Sequence, residues 1–188
     1  LAQGIKSAVG VPVLASNRVN DPAGAEEILR EGEADMVTMA RGLIADPFLP
    51  QKALEGRTDR ITRCIACNQG CFDAIFAFRP AGCLVNPAAG REGEAAAEPV
   101  ATARSVLVIG GGPAGLKAAV TAAERGHAVT LAEKATELGG QMLMNRRIPG
   151  RGEMVTAVED LIAGLSVAGV EVRLGREVGR EDVKRIAP

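Results

Sequence analysis

The sequence has no tryptophan and no tyrosine, only four phenylalanines, and a single histidine. Most side chains that carry acid–base catalysis or build aromatic cages are therefore missing, and chemistry has to come from cysteine, carboxylates, backbone amides or bound cofactors. Charge of one sign is also missing: 22 Lys and Arg against 23 Asp and Glu leave a net charge of −1. Such a chain has no long-range field with which to hold nucleic acid or an anionic membrane surface. No window approaches the roughly 18 to 20 uninterrupted apolar residues of a bilayer span, and the first residues show no signal-peptide pattern. The expected partner is a small-molecule substrate, with no nucleic acid and no membrane; assembly as a homo-oligomer is left open by the sequence. What is present is a chain of 188 residues, 47% hydrophobic, enough for one large or two small domains. Its 23 glycines point to tight turns or backbone contacts with phosphates. Its four cysteines fall between Cys64 and Cys83 in an otherwise cysteine-free chain.

Residues 11 to 39 read as strand, helix, parallel strand. Val11 to Ala15 is a short apolar run, and Asp21 caps a helix whose first turn carries Pro22. Ala25, Ile28 and Leu29 supply its apolar face, Gly32 stops it, and Ala34 to Met39 is a second buried-strand candidate. Ala40-Arg41-Gly42 then reads as a polar turn, followed by Leu43, Ile44 and the breaker Asp46-Pro47. Beyond the cysteines, residues 86 to 104 are rich in Ala, Gly and Glu and read as a linker. The second half is α/β again. Val106 to Ile109 is an apolar strand, and Leu116, Ala119, Val120 and Ala123 mark one face of a helix that ends at Gly126. His127 to Glu133 is the next strand. Met154, Val158, Leu161 and Leu165 recur at helical spacing up to Gly169, and Val170 to Leu174 alternates as a strand.

Cys64-x2-Cys67-x3-Cys71-x11-Cys83 brings four thiols together, three of them from one short segment. Four thiolates suit either tetrahedral zinc or a cubane iron–sulfur cluster. Structural zinc usually draws on two separated Cys-x2-Cys pairs, whereas three close thiolates with a distant fourth favour the cluster. Disulfides or unrelated core cysteines are the remaining alternatives, and a redox dithiol at Cys64 and Cys67 is the weaker option beside Cys71 and Cys83. Gly110-x-Gly112-x-x-Gly115 follows an apolar strand, opens a helix, and has Glu133 ending the next strand, the context that makes this pattern a dinucleotide fingerprint. Gly110 permits the tight turn, Gly112 lets a pyrophosphate approach the backbone, and Gly115 lets helix and strand pack closely. The helix N-terminus faces the phosphates, and Glu133 accepts from the adenosine ribose, favouring FAD, ADP or NAD over a 2′-phosphorylated nucleotide. His127, between Gly126 and a strand, reads as a turn histidine. Arg146, Arg147 and Arg151 read as a solvated basic loop unless they meet dinucleotide phosphates.

Taken in order, these features resemble the iron–sulfur flavoenzymes of the old yellow enzyme superfamily, the group with 2,4-dienoyl-CoA reductase and trimethylamine dehydrogenase. The resemblance covers nearly the whole chain. It runs from ADMVTMARGLIADP at positions 34 to 47, through the four-cysteine spacing, to VLVIGGGPAGLKAA, Glu133-Lys134 and Leu138-Gly139-Gly140-Gln141. The cysteine spacing is its most specific part, because it separates this group from flavin reductases with two sets of clustered cysteines. It implies an α/β chain in pieces: residues 1–60 as the C-terminal end of a TIM barrel holding FMN, 61–85 as a [4Fe-4S] segment, 86–104 as linker, and 105–188 as the start of a Rossmann-like FAD- or ADP-binding domain. A whole barrel needs about 250 residues, so the chain is expected to be a fragment of a larger protein. Asn17, Ala40 and Arg41 match the family's FMN-phosphate contacts, Asn17 standing where many members carry glycine. Ala114, Glu133, Gln141, Arg151 and Val178 match its dinucleotide contacts. The implied chemistry is a relay from NAD(P)H through FAD and the cluster to FMN, which reduces an activated alkene such as an enoyl thioester. In the amine-oxidising branch FMN oxidises the substrate and ADP replaces FAD. The acid–base residues of such barrels lie on earlier strands, so no catalytic side chain is assigned here. Cytoplasmic location is expected from the thiolate chemistry. Two other readings stay open on the residues alone: a zinc-stabilised nucleotide-binding module without redox activity, and an electron-transfer subunit.

Overall fold

The computed structural model describes residues 1–94 and 98–186, with no account of the side chains of 185 and 186. The middle of the expected linker, 95–97, lies outside the described residues, as do 187 and 188 at the end of the expected dinucleotide segment. The chain divides into two compact units, Leu1–Glu92 and Gly93–Pro188.

The first unit carries α1 (Ala2–Lys6), β1 (Leu14–Ala15), α2 (Pro22–Arg30), β2 (Met36–Val37), α3 (Arg41–Ala45), α4 (Leu49–Leu54) and α5 (Phe72–Phe76). β1 and β2 are parallel, Leu14 opposite Met36 and Ala15 opposite Val37, with α2 as the crossover. Asp21 accepts the Gly24 N–H at 2.9 Å, Pro22 starts the helix, and Gly32 leaves it at φ 68°. The strands are shorter than the apolar runs suggest, and Leu14 and Met36 are half exposed. A ladder needs a partner strand at each residue, whatever its hydrophobicity, so the apolar runs outlast the two paired positions. Ala40-Arg41-Gly42, expected as a turn, opens the short helix α3, which stops at Asp46.

The buried set here consists mostly of alanines with Val19, Leu49, Ile61 and Ile65, while Phe48, Phe72, Phe76 and Phe78 are exposed. Polar ties replace a large apolar core. Asp46, 3% exposed, accepts from the Phe48 N–H (3.1 Å), the Thr62 N–H (2.9 Å) and Lys52 Nζ (2.5 Å), and Lys52 also donates to the Arg60 carbonyl at 2.8 Å. A buried carboxylate is tolerable only with such a full set of donors. Its effect is to fasten the chain two residues ahead of Cys64 onto α3 and α4. Residues 86–92, inside the stretch read as linker, pack into this unit: Asn86 Nδ2 donates to the Ile44 carbonyl at 2.9 Å, and Ala89 is buried.

The second unit carries β3 (Ser105–Ile109), α6 (Pro113–Glu124), β4 (Ala128–Ala132), α7 (Thr156–Val167), β5 (Glu171–Arg173) and α8 (Arg180–Ile186). Its sheet is parallel in the order β3-β4-β5. Leu116, Ala119 and Val120 of α6 meet Val129 and Leu131 of β4 and Val158 and Leu165 of α7 in one core, which the helical and strand periodicities place on facing sides. Thus the fold is α/β in both units. Among the described residues no helix is long and apolar enough to cross a membrane.

Candidate functional site

All four cysteines are unpaired, half-buried, and line one small cavity together with Arg41, Ile44, Ile65 and Leu84. The loop carrying the first three is held from inside: Ile61 and Ile65 are 4% exposed and Ala74 is 7% exposed, so they anchor it while the thiols turn to the cavity. Ala66 and Asn68, on either side of Cys67, stand at φ 52° and 62°. This left-handed backbone costs a non-glycine residue of order 1 kcal/mol and turns the chain sharply enough to wrap a centre. Cys83 arrives from a second segment through two glycines. The Gly82 N–H donates to the Gly70 carbonyl at 2.6 Å, and a Cβ on Gly70 would lie 2.9 Å from the Gly82 carbonyl. Burial pushes the Cys64 thiol above its usual value, opposed by the Ala66 N–H, 3.4 Å from Sγ, and by the Arg41 guanidinium. Among the described residues no three His, Cys, Asp or Glu side chains are gathered tightly enough to grip a single metal ion. The donor set is thiol only, the composition that suits an iron–sulfur cluster or zinc once deprotonated.

Arg41 joins this cavity to the loop after β1. Its Nη2 donates to Asn17 Oδ1 at 2.9 Å, its Nη1 donates to Asn68 Oδ1 at 2.8 Å, and its Cζ lies 5.5 Å from the centre of the Phe72 ring. Asn17 has φ 76°, which asparagine tolerates better than most residues, so it fills a position suited to glycine. Ala40 immediately precedes α3, its carbonyl accepting the Ile44 N–H at 3.2 Å. The guanidinium keeps further N–H donors beyond these two, so Arg41 and the neighbouring loop fit a phosphate ester.

In the second unit the expected glycines do different work. Gly110 sits at φ 106° and its N–H donates to the Ala132 carbonyl at 2.8 Å. A Cβ on Gly115 would overlap the Gly110 carbonyl oxygen, and Gly112 has open space where a Cβ would stand. Gly111, not singled out by the motif, would meet Leu138 at 2.5 Å and Glu133 Cβ at 3.2 Å with a side chain. Gly139, at φ 118°, donates to the Gly111 carbonyl at 2.8 Å, and a Cβ on Gly140 would lie 3.1 Å from Gly112 Cα. Thus the Leu138-Gly139-Gly140-Gln141 turn lies against the glycine loop. By helix geometry the N–H groups of Ala114 and Gly115 lack an intrahelical acceptor, and no side chain caps them. A cradle of close glycine backbone with free helix N–H groups fits a pyrophosphate.

Glu133 bends back toward that cradle. Its Oε2 accepts the Gly111 N–H at 2.6 Å and its Oε1 accepts the Ala135 N–H at 2.8 Å. Those N–H groups, Ala135 first, hold the carboxyl below its usual value of 4.5. A carboxylate with a depressed folded value contributes stability above its unfolded pKa and loses it as pH falls through the folded value. Urea denaturation of the full-length protein is therefore expected to show the second unit weakening below about pH 4.5, with Glu133→Gln showing a shallower acid limb, since Glu171 in the same unit is also held below its usual value. Equal acid sensitivity in both proteins would refute this role. Each oxygen retains a lone pair for a ribose hydroxyl. Exposed Gln141 follows Gly140, Arg151 precedes the short helical turn Gly152–Val155, and half-buried Val178 precedes α8. Arg146 pairs with Glu137 at 3.3 Å on the surface. His127 Nδ1 accepts the Arg104 N–H at 3.1 Å, tying the entries to β3 and β4. Asp46, Asn68, Asn86 and Gly111 went unmarked as site residues, since their roles depend on neighbours distant in sequence.

Residues 2–60 match the NADH:flavin oxidoreductase / NADH oxidase family, and residues 105–181 match the FAD dependent oxidoreductase family. The chain is 45% identical to a metal reductase of Desulforamulus reducens, over 97% of this chain and 27% of that protein. It is 46% identical to an NADH oxidase of Thermoanaerobacter brockii, over 100% of this chain and 29% of that protein. A solved 2-naphthoyl-CoA reductase in complex with 2-naphthoyl-CoA superimposes with a TM-score of 0.94 at 37% identity, covering 100% of this chain and 29% of that one. These families and relatives are oxidoreductases, and the chain spans less than a third of their length.

Proposed function

We propose, for a chain that belongs to the NADH:flavin oxidoreductase group of flavoenzymes, that it forms part of an FMN- and iron–sulfur-containing oxidoreductase that reduces an activated alkene such as an enoyl thioester with electrons from NAD(P)H. The observation that carries this reading is the four-cysteine cavity joined through Arg41 to the loop after β1. When bound, the flavins supply two-electron chemistry and a [4Fe-4S] cluster supplies the one-electron step between them. In this reading Cys64, Cys67, Cys71 and Cys83 hold the cluster as thiolates, and the buried Ile61 and Ile65 keep their loop from opening. Asn17, Ala40 and Arg41, at the C-terminal ends of two parallel strands, hold the FMN phosphate, the place where barrels of this kind bind phosphate. Residues 1–60 then serve as the end of a TIM barrel. Gly110, Gly112, Ala114 and Gly115 receive the pyrophosphate of FAD, Glu133 orients its ribose, and Gln141, Arg151 and Val178 complete that surface. The likeness to a naphthoyl-CoA reductase supports an acyl-CoA thioester as substrate class.

The test is made on the full-length protein under anaerobic conditions. With 2-butenoyl-CoA, NADH or NADPH is expected to be consumed mole for mole with formation of the saturated thioester, since the alkene takes up a hydride and a proton. Flavin bleaching by dimethylamine, with NAD(P)H left unoxidised in the presence of the thioester, would instead place the protein with the amine dehydrogenases.

A further inference from the structure

Four of the five non-glycine residues with left-handed backbone among the described residues are Asn17 (76°), Arg18 (60°), Ala66 (52°) and Asn68 (62°). They lie in the two loops that Arg41 joins. Backbone of this kind persists only where the surroundings over-determine it, and it clusters where geometry has to be held for function. Asn68 is held from two sides. Its side-chain oxygen accepts from Arg41 Nη1 at 2.8 Å, and its carbonyl accepts the Asp73 N–H at 3.1 Å, fixing the start of α5 just past Cys71. It stands between Cys67 and Cys71, on the segment that supplies three of the four thiols, yet presents no thiol of its own. The same guanidinium that holds Asn68 donates to Asn17 and lines the cysteine cavity.

We infer that Asn68 is a positioning residue that couples the two sites: a phosphate monoester bound by Arg41 and the Asn17 loop fixes the guanidinium, and Asn68 passes that restraint to the thiol loop, protecting the metal centre from loss. The inference rests on the reading that the FMN phosphate binds at Arg41. No bond is made or broken and no proton moves; the coupling consists of two hydrogen bonds from one guanidinium, Nη1 to Asn68 and Nη2 to Asn17. Reciprocity requires that an assembled centre likewise tighten phosphate binding.

The test uses the full-length protein with its metal in place and its flavin removed, and FMN as the probe. Metal loss to a chelator is followed with and without FMN, while a fluorescence titration measures FMN binding independently. At ten times the dissociation constant, linkage allows at most about elevenfold protection if only the clamped loop binds FMN. Protection of about five- to tenfold is expected in the unaltered protein and about twofold or less in Asn68→Gly, a variant whose glycine suits the left-handed backbone but lacks the amide. Asn68→Asp, which keeps an acceptor for Arg41, is expected to restore protection. Full protection in Asn68→Gly, or none in the unaltered protein while FMN binds, overturns the coupling. Metal analysis of the same sample separates this from the functional reading: zinc in place of iron contradicts the redox centre, yet the chelator still reads the coupling. If the sample holds no metal, alkylation of the thiols by iodoacetamide replaces metal loss as the readout. Failure of FMN to bind in the titration contradicts the functional reading and the coupling together.

Discussion

Gly70→Ala in the full-length protein is expected to weaken metal retention by about 10- to 100-fold. Three of the four thiols come from residues 64 to 71, and the fourth, Cys83, reaches them only because two backbones touch at Gly70 and Gly82. A methyl group on Gly70 would sit 2.9 Å from both the carbonyl carbon and oxygen of Gly82 and 3.0 Å from Cys83 Cα. These are backbone atoms, so no side chain can swing aside; the segment bearing Cys83 must retreat, and the 2.6 Å hydrogen bond between Gly82 and Gly70 goes with it. Overpacking of this kind costs about 1–3 kcal/mol, and the loss of a correctly placed ligand adds to it. Loss of support for metal ligands lowers affinity by about 10- to 100-fold, and metal is expected to be lost on dialysis that leaves the unaltered protein loaded. Gly4→Ala, where a Cβ meets nothing within 4 Å, is the control and should retain metal. Unchanged metal content in Gly70→Ala would mean that Cys83 is not a ligand.

Gly115→Ala is expected to do to the second unit what Gly70→Ala does to the first, and to leave the metal in place. The added methyl would overlap the Gly110 carbonyl oxygen and approach Val108 Cγ1 at 3.5 Å, so α6 can no longer lie against the end of β3. That displaces the N–H groups of Ala114 and Gly115 from the glycine loop. It also strains the turn at Gly110, whose φ of 106° no other residue adopts easily. Destabilisation of about 2–4 kcal/mol is expected, with release of the adenine nucleotide, FAD or ADP. Chromatography of released flavins and nucleotides after desalting checks it: FMN and metal retained, FAD or ADP lost. Retention of that nucleotide would show that the glycine loop does not hold it.

The second unit was the more legible in sequence, because its elements obey local rules. Leu116, Ala119, Val120, Val129 and Leu131 fall on the buried faces that helical and strand periods assign them, and Gly126 and Gly169 end their helices in left-handed conformation at φ 97° and 72°. The tight turn at Gly110 and the close helix–strand packing at Gly115 were legible for the same reason, but not the crowding of Gly111, which comes from Leu138 and Glu133, more than 20 residues away. In the first unit the apolar runs 11–15 and 34–39 were visible, but the ladder is only two residues long because hydrogen bonding depends on a partner strand and not on hydrophobicity. The cysteine spacing announced a shared site. The means of assembling it did not show: Asp46 binding Thr62, Gly70 against Gly82, and Arg41 between Asn17 and Asn68 join residues 12 to 27 positions apart. Pairings of that kind leave no periodic trace in a sequence.

The most direct test of the central claim is a single analysis of the full-length protein, purified anaerobically, for iron, acid-labile sulfide, zinc and released flavin. Iron and sulfide at about four of each per chain, accompanied by FMN, is the expected result. Zinc alone, without sulfide or flavin, would contradict it and turn the four-cysteine cavity into a structural knuckle.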